Sequence, residues 1–245
     1  MNTTKLQKRI QIGSAALLTA LAMNAHAAII TVSNVQDISN ATLSANLSTL
    51  GTTDWVVWNA WSGSTAVQFD SKSGGSGIGD LTYSGGGGNV GENSPAMLLD
   101  YNDGTNFAGS QTTSEGIGRQ LNGGSATFTY TFTLGAGTNQ VNLFLSKDER
   151  PLNSTLTASI VGSTPGSTTF NVGGYANDKN WQFAVDVSDA VASDVLTVTW
   201  DGGSGGEWAS RMIANAATLT IVPEPSSIAL VGLALASLLL FRRRK

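Results

Sequence analysis

Three neighbouring side chains have the chemistry needed to hold a sugar: Trp208, Glu207 and Arg211. Sugars stack on aromatic rings, and their hydroxyl groups form hydrogen bonds with carboxylate and guanidinium groups. Residues 202–206, directly before them, are rich in glycine, which is typical of an exposed turn. We therefore expect a ligand-binding surface here. The competing interpretation is that Trp208 only covers the end of the fold.

Three aspartates have the chemistry of a calcium site. Asp100 and Asp103 belong to the sequence Asp-Tyr-Asn-Asp-Gly, and Asp201 precedes the glycine-rich turn. Calcium prefers six to eight oxygen ligands, which Asp side chains and loop carbonyls supply. The spacing differs from that of an EF-hand loop. The alternative interpretation is that these aspartates form local hydrogen bonds with the backbone of their own turns.

Catalytic options are few, because the chain has no cysteine and its one histidine is His26, close to the amino terminus. Without these side chains, histidine-dependent triads, thiol chemistry and His or Cys metal sites are excluded from the rest of the chain. A pair of carboxylates, as in glycoside hydrolysis, remains. Glu115 and Glu207 are the candidate acids for a polysaccharide hydrolase. We expect no catalytic residues and keep the hydrolase as an alternative.

The elements that must position these residues are predicted to be β-strands. Residues 126–134 alternate between Thr and apolar residues, which is typical of an antiparallel strand with one buried face. Residues 55–61 have Trp or Val at most positions, and strict alternation would place Trp55, Val57 and Trp61 on one face. The glycine-rich residues 71–91 are predicted to be a flexible connection. The pattern favours a two-sheet antiparallel β-sandwich of the jelly-roll type.

The amino-terminal residues 1–27 have the anatomy of a secretory signal peptide. A basic start precedes an apolar stretch, and Ala25 and Ala27 frame an A-x-A cleavage site, so that Ala28 becomes the first mature residue. Residues 28–222 then form the exported domain. This domain is acidic: only Glu224 of the 17 acidic residues lies outside it, against seven of the 13 basic residues. Nucleic acid is therefore not expected as a partner.

The carboxyl-terminal residues 223–245 have three parts. Pro223, Glu224 and Pro225 end the domain, because proline cannot join a sheet ladder. An apolar run at about residues 226–241 follows, and at ~1.5 Å per residue it is a short membrane helix. Four cations close the chain as a membrane stop: Arg242, Arg243, Arg244 and Lys245.

This tripartite end resembles the PEP-CTERM sorting signal of Gram-negative bacteria. The resemblance implies that an exosortase, a membrane-embedded cysteine protease, recognises Pro223, Glu224 and Pro225 and processes the chain nearby. It also implies export, a transient anchor in the inner membrane, and final delivery to the outer surface or the extracellular matrix.

From residue 126 onward the strands resemble the galactose-binding-like (discoidin-like) β-sandwiches. The resemblance is carried by the Thr/Phe ladder, by Val141, Leu143 and Leu145, and by residues 154–160 and 196–200. We expect a non-enzymatic surface or matrix protein associated with exopolysaccharide or biofilm, without a required cofactor unless calcium binds. The alternatives are a specific lectin-like module and a polysaccharide hydrolase.

Overall fold

The fold is given by a computed structural model of the 245-residue chain. The structure describes residues 27–39, 42–91, 97–121, 124–148, 152–162, 165–175, 179–203 and 211–222. These residues form almost only β-strands, as the sequence predicts. The strands are β1 (Ile29–Ser39), β2 (Leu43–Asn46), β3 (Asp54–Ser62), β4 (Thr65–Ser71), β5 (Ile78–Gly85), β6 (Asn89–Gly91), β7 (Met97–Asp103), β8 (Ala108–Thr113), β9 (Ile117–Gln120), β10 (Ala126–Thr133), β11 (Gly137–Asp148), β12 (Leu152–Val161), β13 (Gly166–Tyr175), β14 (Lys179–Ala190), β15 (Val195–Asp201) and β16 (Arg211–Val222). One short helix, α1 (Leu47–Leu50), lies between β2 and β3.

One long antiparallel sheet folds over to form both layers of the sandwich. Its strand order is β1-β14-β11-β16-β3-β4-β5-β10-β15-β12-β13. Two further strands lie beside this path: β9 pairs with β16, and β6 pairs with β9. We call β1, β14, β11, β16 and β3 the first layer, and β5, β10, β15, β12 and β13 the second. The two ends of this sheet approach each other: a Cβ on Gly166 of β13 would lie 2.7 Å from the carbonyl oxygen of Ala28, just before β1.

The main hydrophobic core lies between the two layers. Aromatic rings from opposite layers meet there, with centroids 6.3 Å apart for Trp181 and Trp200 and 5.8 Å apart for Trp58 and Tyr130. The alternation in residues 126–134 is confirmed, because the apolar side chains of β10 are buried and most of its threonines are partly exposed. The predicted all-β sandwich is therefore confirmed, with its layers formed by two halves of one sheet.

A second, smaller sheet packs on the outer face of the first layer. It contains β2, β7 and β8 in the order β2-β7-β8, and β2 runs parallel to β7. Its buried side chains meet Trp55 and Val57 of β3, and the rings of Trp55 and Tyr101 lie 4.5 Å apart. Both faces of β3 are thus covered. Val56 and Trp58 face the main core, whereas Trp55 and Val57 face a second hydrophobic core, which lies between the first layer and the small sheet.

Two local predictions were wrong. Trp61 does not share a face with Trp55, because register shifts after Val57 and Trp58 change the phase of β3, and Trp61 packs against the main core. Residues 71–91 are not one flexible connection, since β5 and β6 lie within them. The buried Asp54 carboxylate also accepts hydrogen bonds from the backbone of Gly77 (2.8 Å) and Ile78 (2.9 Å) in this segment.

The sandwich has two distinct ends. At the terminal end, β1 begins at Ile29 and β16 ends at Val222, where Val222 pairs with Thr138. At the distal end, β16 begins at Arg211, opposite Asp148 of β11. With β16 of 12 residues, the ends are roughly 36 Å apart at ~3.3 Å per residue. The chain therefore enters and leaves the described fold at the same end.

Candidate functional site

Of the predicted sugar-binding residues, only Arg211 is described, and it lies at the distal end. Arg211 opens β16 and pairs with Gln120 of β9. Glu207 and Trp208 lie outside the described residues. The described residues on either side of them are Gly203, whose amide donates a 2.8 Å hydrogen bond to Asp201, and Arg211. Whether the three side chains form one surface stays a prediction.

The structure brings together an aromatic–arginine cluster at the distal end, which we define as Trp61, Tyr83 and Arg119. These residues come from the end of β3, from β5 and from β9. The Arg119 guanidinium carbon lies 3.8 Å from the centroid of the Tyr83 ring, a cation–π contact. The Trp61 ring meets Tyr83 edge-on at 4.6 Å. Trp61 and Tyr83 are both partly exposed.

Backbone hydrogen bonds hold the cluster in place. Trp61 Nε1 donates to the Gly118 carbonyl at 3.0 Å, and Arg119 Nη2 donates to the Gly85 carbonyl at 2.8 Å. Gly85 has a φ of 72°, a left-handed conformation that favours glycine. The rings and the guanidinium group are therefore fixed before any ligand arrives, which lowers the entropic cost of binding.

This arrangement has the chemistry of a sugar-binding surface. Two partly exposed aromatic side chains offer apolar area, and the buried Arg119 side chain (7% exposed) supports the Tyr83 ring. Sequence reasoning missed Tyr83 and Arg119 as a pair, because they are distant in the chain and meet only through the sheet order. The signal that could have found them is the aromatic residue in a glycine-rich segment together with one of the few cations of residues 28–222.

The three predicted calcium ligands are not brought together. Asp103 binds other groups, since it accepts hydrogen bonds from Trp55 Nε1 (2.8 Å) and Ser48 Oγ and pairs with Lys72. Asp100 accepts a hydrogen bond from Thr112 Oγ1 at 2.5 Å, and Asp201 lies at the distal end of β15. Among the described ranges, no group of three or more His, Cys, Asp and Glu side chains could hold a metal ion. Calcium binding by these aspartates stays a prediction.

Buried carboxylates near the second core act as structural acceptors. Burial raises the pKa of Asp54 above its ordinary value, although backbone amides that donate to it counteract the effect. Asp70 is fully buried and accepts hydrogen bonds from the backbone of Ser71 (2.8 Å) and Asn106 (2.9 Å). Burial, and then the nearby Asp70 carboxylate, raise the pKa of Tyr101. These groups connect loops to strands.

The candidate acids of the alternative hydrolase are only partly described. Glu115 lies just before β9 and is partly exposed. Its backbone carbonyl accepts a 3.1 Å hydrogen bond from the buried Asn215 side chain. Glu207 lies outside the described residues, so the separation of the two carboxylates, which distinguishes the glycosidase mechanisms, stays a prediction.

Both predicted targeting segments lie mostly outside the described residues. The described residues begin at Ala27, so Ala27 and Ala28 of the predicted cleavage site are included and Ala25 is not. They end at Val222, so Pro223, Glu224, Pro225 and the four terminal cations are not included. Within the described ranges, no helix has the length and apolar character that a membrane span requires. The predicted span at residues 226–241 is not among those ranges.

Several solved structures are similar to this chain at low sequence identity. TmCBM61 in complex with β-1,4-galactotriose has a TM-score of 0.31 and 13% identity, covering 46% of this chain and 74% of its own. Carbohydrate-binding module CBM36 in complex with calcium and xylotriose has a TM-score of 0.29 and 11% identity, covering 56% and 91%. CsCBM6-3 from Clostridium stercorarium in complex with cellobiose has a TM-score of 0.26 and 12% identity, covering 58% and 94%. These TM-scores are too low to support an inference about a ligand of this chain. A ligand can therefore be proposed only from the residues of the chain itself.

The carboxyl-terminal end has a specific match. No curated protein sequence matches the chain. The family described as the PEP-CTERM protein-sorting motif matches residues 222–245, so the resemblance in the tail is confirmed. The match begins at Val222, the last residue of β16, so that the sorting segment directly follows the folded domain. The chain is therefore an all-β sandwich followed by a PEP-CTERM protein-sorting motif.

Proposed function

We propose that this protein is an exported, non-enzymatic carbohydrate-binding protein of the bacterial surface or extracellular matrix. Residues 1–27 direct export, with cleavage after Ala27. The apolar run at residues 226–241 holds the chain in the inner membrane until an exosortase processes it near Pro223, Glu224 and Pro225. The folded domain then associates with exopolysaccharide in the surface or biofilm layer.

The proposal of carbohydrate binding is based on the aromatic–arginine cluster at the distal end. Trp61 and Tyr83 are partly exposed, whereas Trp55, Trp58, Trp181 and Trp200 are at most 1% exposed and serve the cores. The first strand begins and the last strand ends at the opposite end of the sandwich, at Ile29 and Val222. An anchored domain would therefore present the cluster away from the membrane, toward the polysaccharide layer.

Direct binding measurements test the proposal. A glycan array of the full chain in detergent identifies an oligosaccharide, and isothermal titration calorimetry then measures its affinity for each variant. We expect Tyr83→Ala to weaken binding about 5- to 30-fold, since one aromatic stacking contact contributes about 1–2 kcal/mol. Array silence in the wild type would overturn the proposal.

Phe107→Ala is the matched control. Phe107 is an exposed aromatic (41%) that stacks on Phe69, away from the cluster, and its removal should leave the affinity unchanged. Equal losses in the two variants would contradict a specific role for the cluster. Release of reducing ends from the bound polysaccharide would favour the hydrolase instead, and Glu115→Gln and Glu207→Gln would then be compared with the wild type.

A further inference from the structure

Exposed aliphatic side chains are concentrated at the terminal end of the sandwich. Five such residues have exposed fractions between 37% and 72%, and we call them the apolar rim: Ile29, Val161, Val191, Val195 and Val222. Aliphatic residues on a soluble domain are usually scattered, so a group of them at one place marks an interaction surface.

Strand register places the whole rim at this end. Val161 and Val195 are direct cross-strand partners, and Val195 also pairs with Thr133 at the end of β10. Val222 pairs with Thr138 near the start of β11. Ile29 begins β1, and Val191 directly follows the end of β14. All five rim residues therefore lie at the end of the sandwich where β16 ends.

The sequence after Val222 limits what can face this end. Five residues separate β16 from Ile228, the first apolar residue of the run: Pro223, Glu224, Pro225, Ser226 and Ser227. Five extended residues span at most about 18 Å. Once the run enters a bilayer, the terminal end of the sandwich is therefore held within about 18 Å of the hydrocarbon core, and the rim can reach the head-group layer, which is about 5–8 Å deep in each leaflet.

The charges near the rim select the kind of lipid surface. Asp189 is exposed beside Val191, and the buried Asp194 carboxylate lies 3.4 Å from the Val191 amide nitrogen. Acidic side chains disfavour a strongly anionic surface, whereas aliphatic side chains gain free energy by leaving water for the interface. A zwitterionic surface fits both features.

We propose that the apolar rim docks on a zwitterionic lipid surface while the carboxyl-terminal run is inserted. Docking orients the domain, with the aromatic–arginine cluster pointing away from the bilayer. This inference rests on the membrane insertion of residues 226–241 that is part of the proposed function. It adds that the folded domain itself contacts lipid.

Site-specific fluorescence quenching tests the contact. Because the chain has no cysteine, Val161→Cys and Val195→Cys can each carry a single environment-sensitive label. Ser84→Cys is the control, since Ser84 is exposed and lies at the distal end, opposite Thr127. The full chain is reconstituted into phosphatidylcholine vesicles that contain a lipid with a nitroxide on its acyl chain.

We expect quenching at residues 161 and 195 to exceed that at residue 84 about twofold or more, as for side chains buried in the interface. In a Val161→Glu, Val191→Glu background, the label at residue 195 should lose most of this quenching, while the melting temperature stays unchanged.

The other outcomes overturn the inference at separate points. If the chain floats with the vesicles but the rim labels are not quenched, the docking surface is wrong and the anchor stands. If the chain does not float, the anchor itself is wrong. Self-quenching of rim labels that increases with protein concentration would assign the rim to a second copy of the chain.

Discussion

Lys72 and Asp103 form an ion pair that joins the large sheet to the small sheet. Lys72 follows β4, and Asp103 is the last residue of β7. The Asp103 carboxylate also accepts hydrogen bonds from Ser48 of α1 and from Trp55 of β3. One carboxylate therefore connects the small sheet, the loop after β4 and the buried tryptophan beneath them.

This connection predicts a pH-dependent contribution to stability. Burial alone raises the pKa of Asp103, but hydrogen bonds from Lys72, Ser48 and Trp55 outweigh it and lower the pKa below its ordinary value. A lowered pKa contributes stability that is complete above about pH 4, the unfolded value, and is lost as pH falls through the folded value. Asp103→Ala should lower the free energy of unfolding by about 1–2 kcal/mol at pH 7, because the carboxylate is partly exposed.

Urea denaturation of the wild type and Asp103→Ala between pH 2 and pH 7 measures this difference. The difference between the two proteins should shrink as the pH falls below about 4. Asp80→Ala is the control, because Asp80 is an exposed aspartate. This substitution should change the free energy of unfolding little at any pH. A difference for Asp103→Ala that is constant with pH would contradict the prediction.

A buried polar triad on the first layer predicts a large effect for a single substitution. The Asn142 side chain donates to Thr218 Oγ1 at 3.1 Å and accepts from Gln182 Nε2 at 3.0 Å, and all three residues are at most 5% exposed. Asn142→Leu removes both hydrogen bonds and leaves the Thr218 and Gln182 side chains buried without them. We expect this to lower the free energy of unfolding by about 2–4 kcal/mol. Urea denaturation measures the loss.

The triple variant Asn142→Leu, Gln182→Met, Thr218→Val provides the comparison. Replacing all the partners with apolar groups of similar shape removes the unsatisfied atoms, so the triple variant should be more stable than Asn142→Leu alone. If the triple variant is the less stable of the two, the three side chains do not act as one network.

The contact between Gly75 and Asp54 predicts a steric effect. A Cβ on Gly75 would lie 2.0 Å from Asp54 Oδ1 and 2.6 Å from Asp54 Cγ, and Asp54 is buried and held by two backbone amides. Gly75→Ala should therefore cost about 1–3 kcal/mol of stability, as overpacking does. At Gly124 the nearest atom is 3.4 Å away, so Gly124→Ala should stay close to the wild type in thermal unfolding. Similar melting temperatures for the two variants would contradict this.

The sorting motif predicts loss of the carboxyl-terminal end. In a host that has an exosortase, the intact mass of the protein should correspond to a chain that begins at Ala28 and lacks the final cations. Deleting the exosortase, or replacing Pro223-Glu224-Pro225 with three alanines, should leave the tail attached. An uncut tail in the wild-type host would show that residues 222–245 are not processed there.

Much of the strand content could be predicted from local patterns. In β10 the alternation of threonine with aromatic residues indicates which face is buried, because successive side chains of a strand point to opposite faces. The same rule fails at Trp61, where β-bulges in β3 change the phase. Bulges depend on the partner strand, which the local pattern does not contain.

The sequence by itself determined the all-β class and the carboxyl-terminal sorting motif, since alternation, glycine-rich turns and the Pro-Glu-Pro segment are local features. Only the tertiary structure decided which distant residues meet. Tyr83 and Arg119 come together, and Val161 and Val222 reach the same end as Ile29, because the sheet order places their strands there. That order results from burying two cores at once, a global condition on the packing of all the strands.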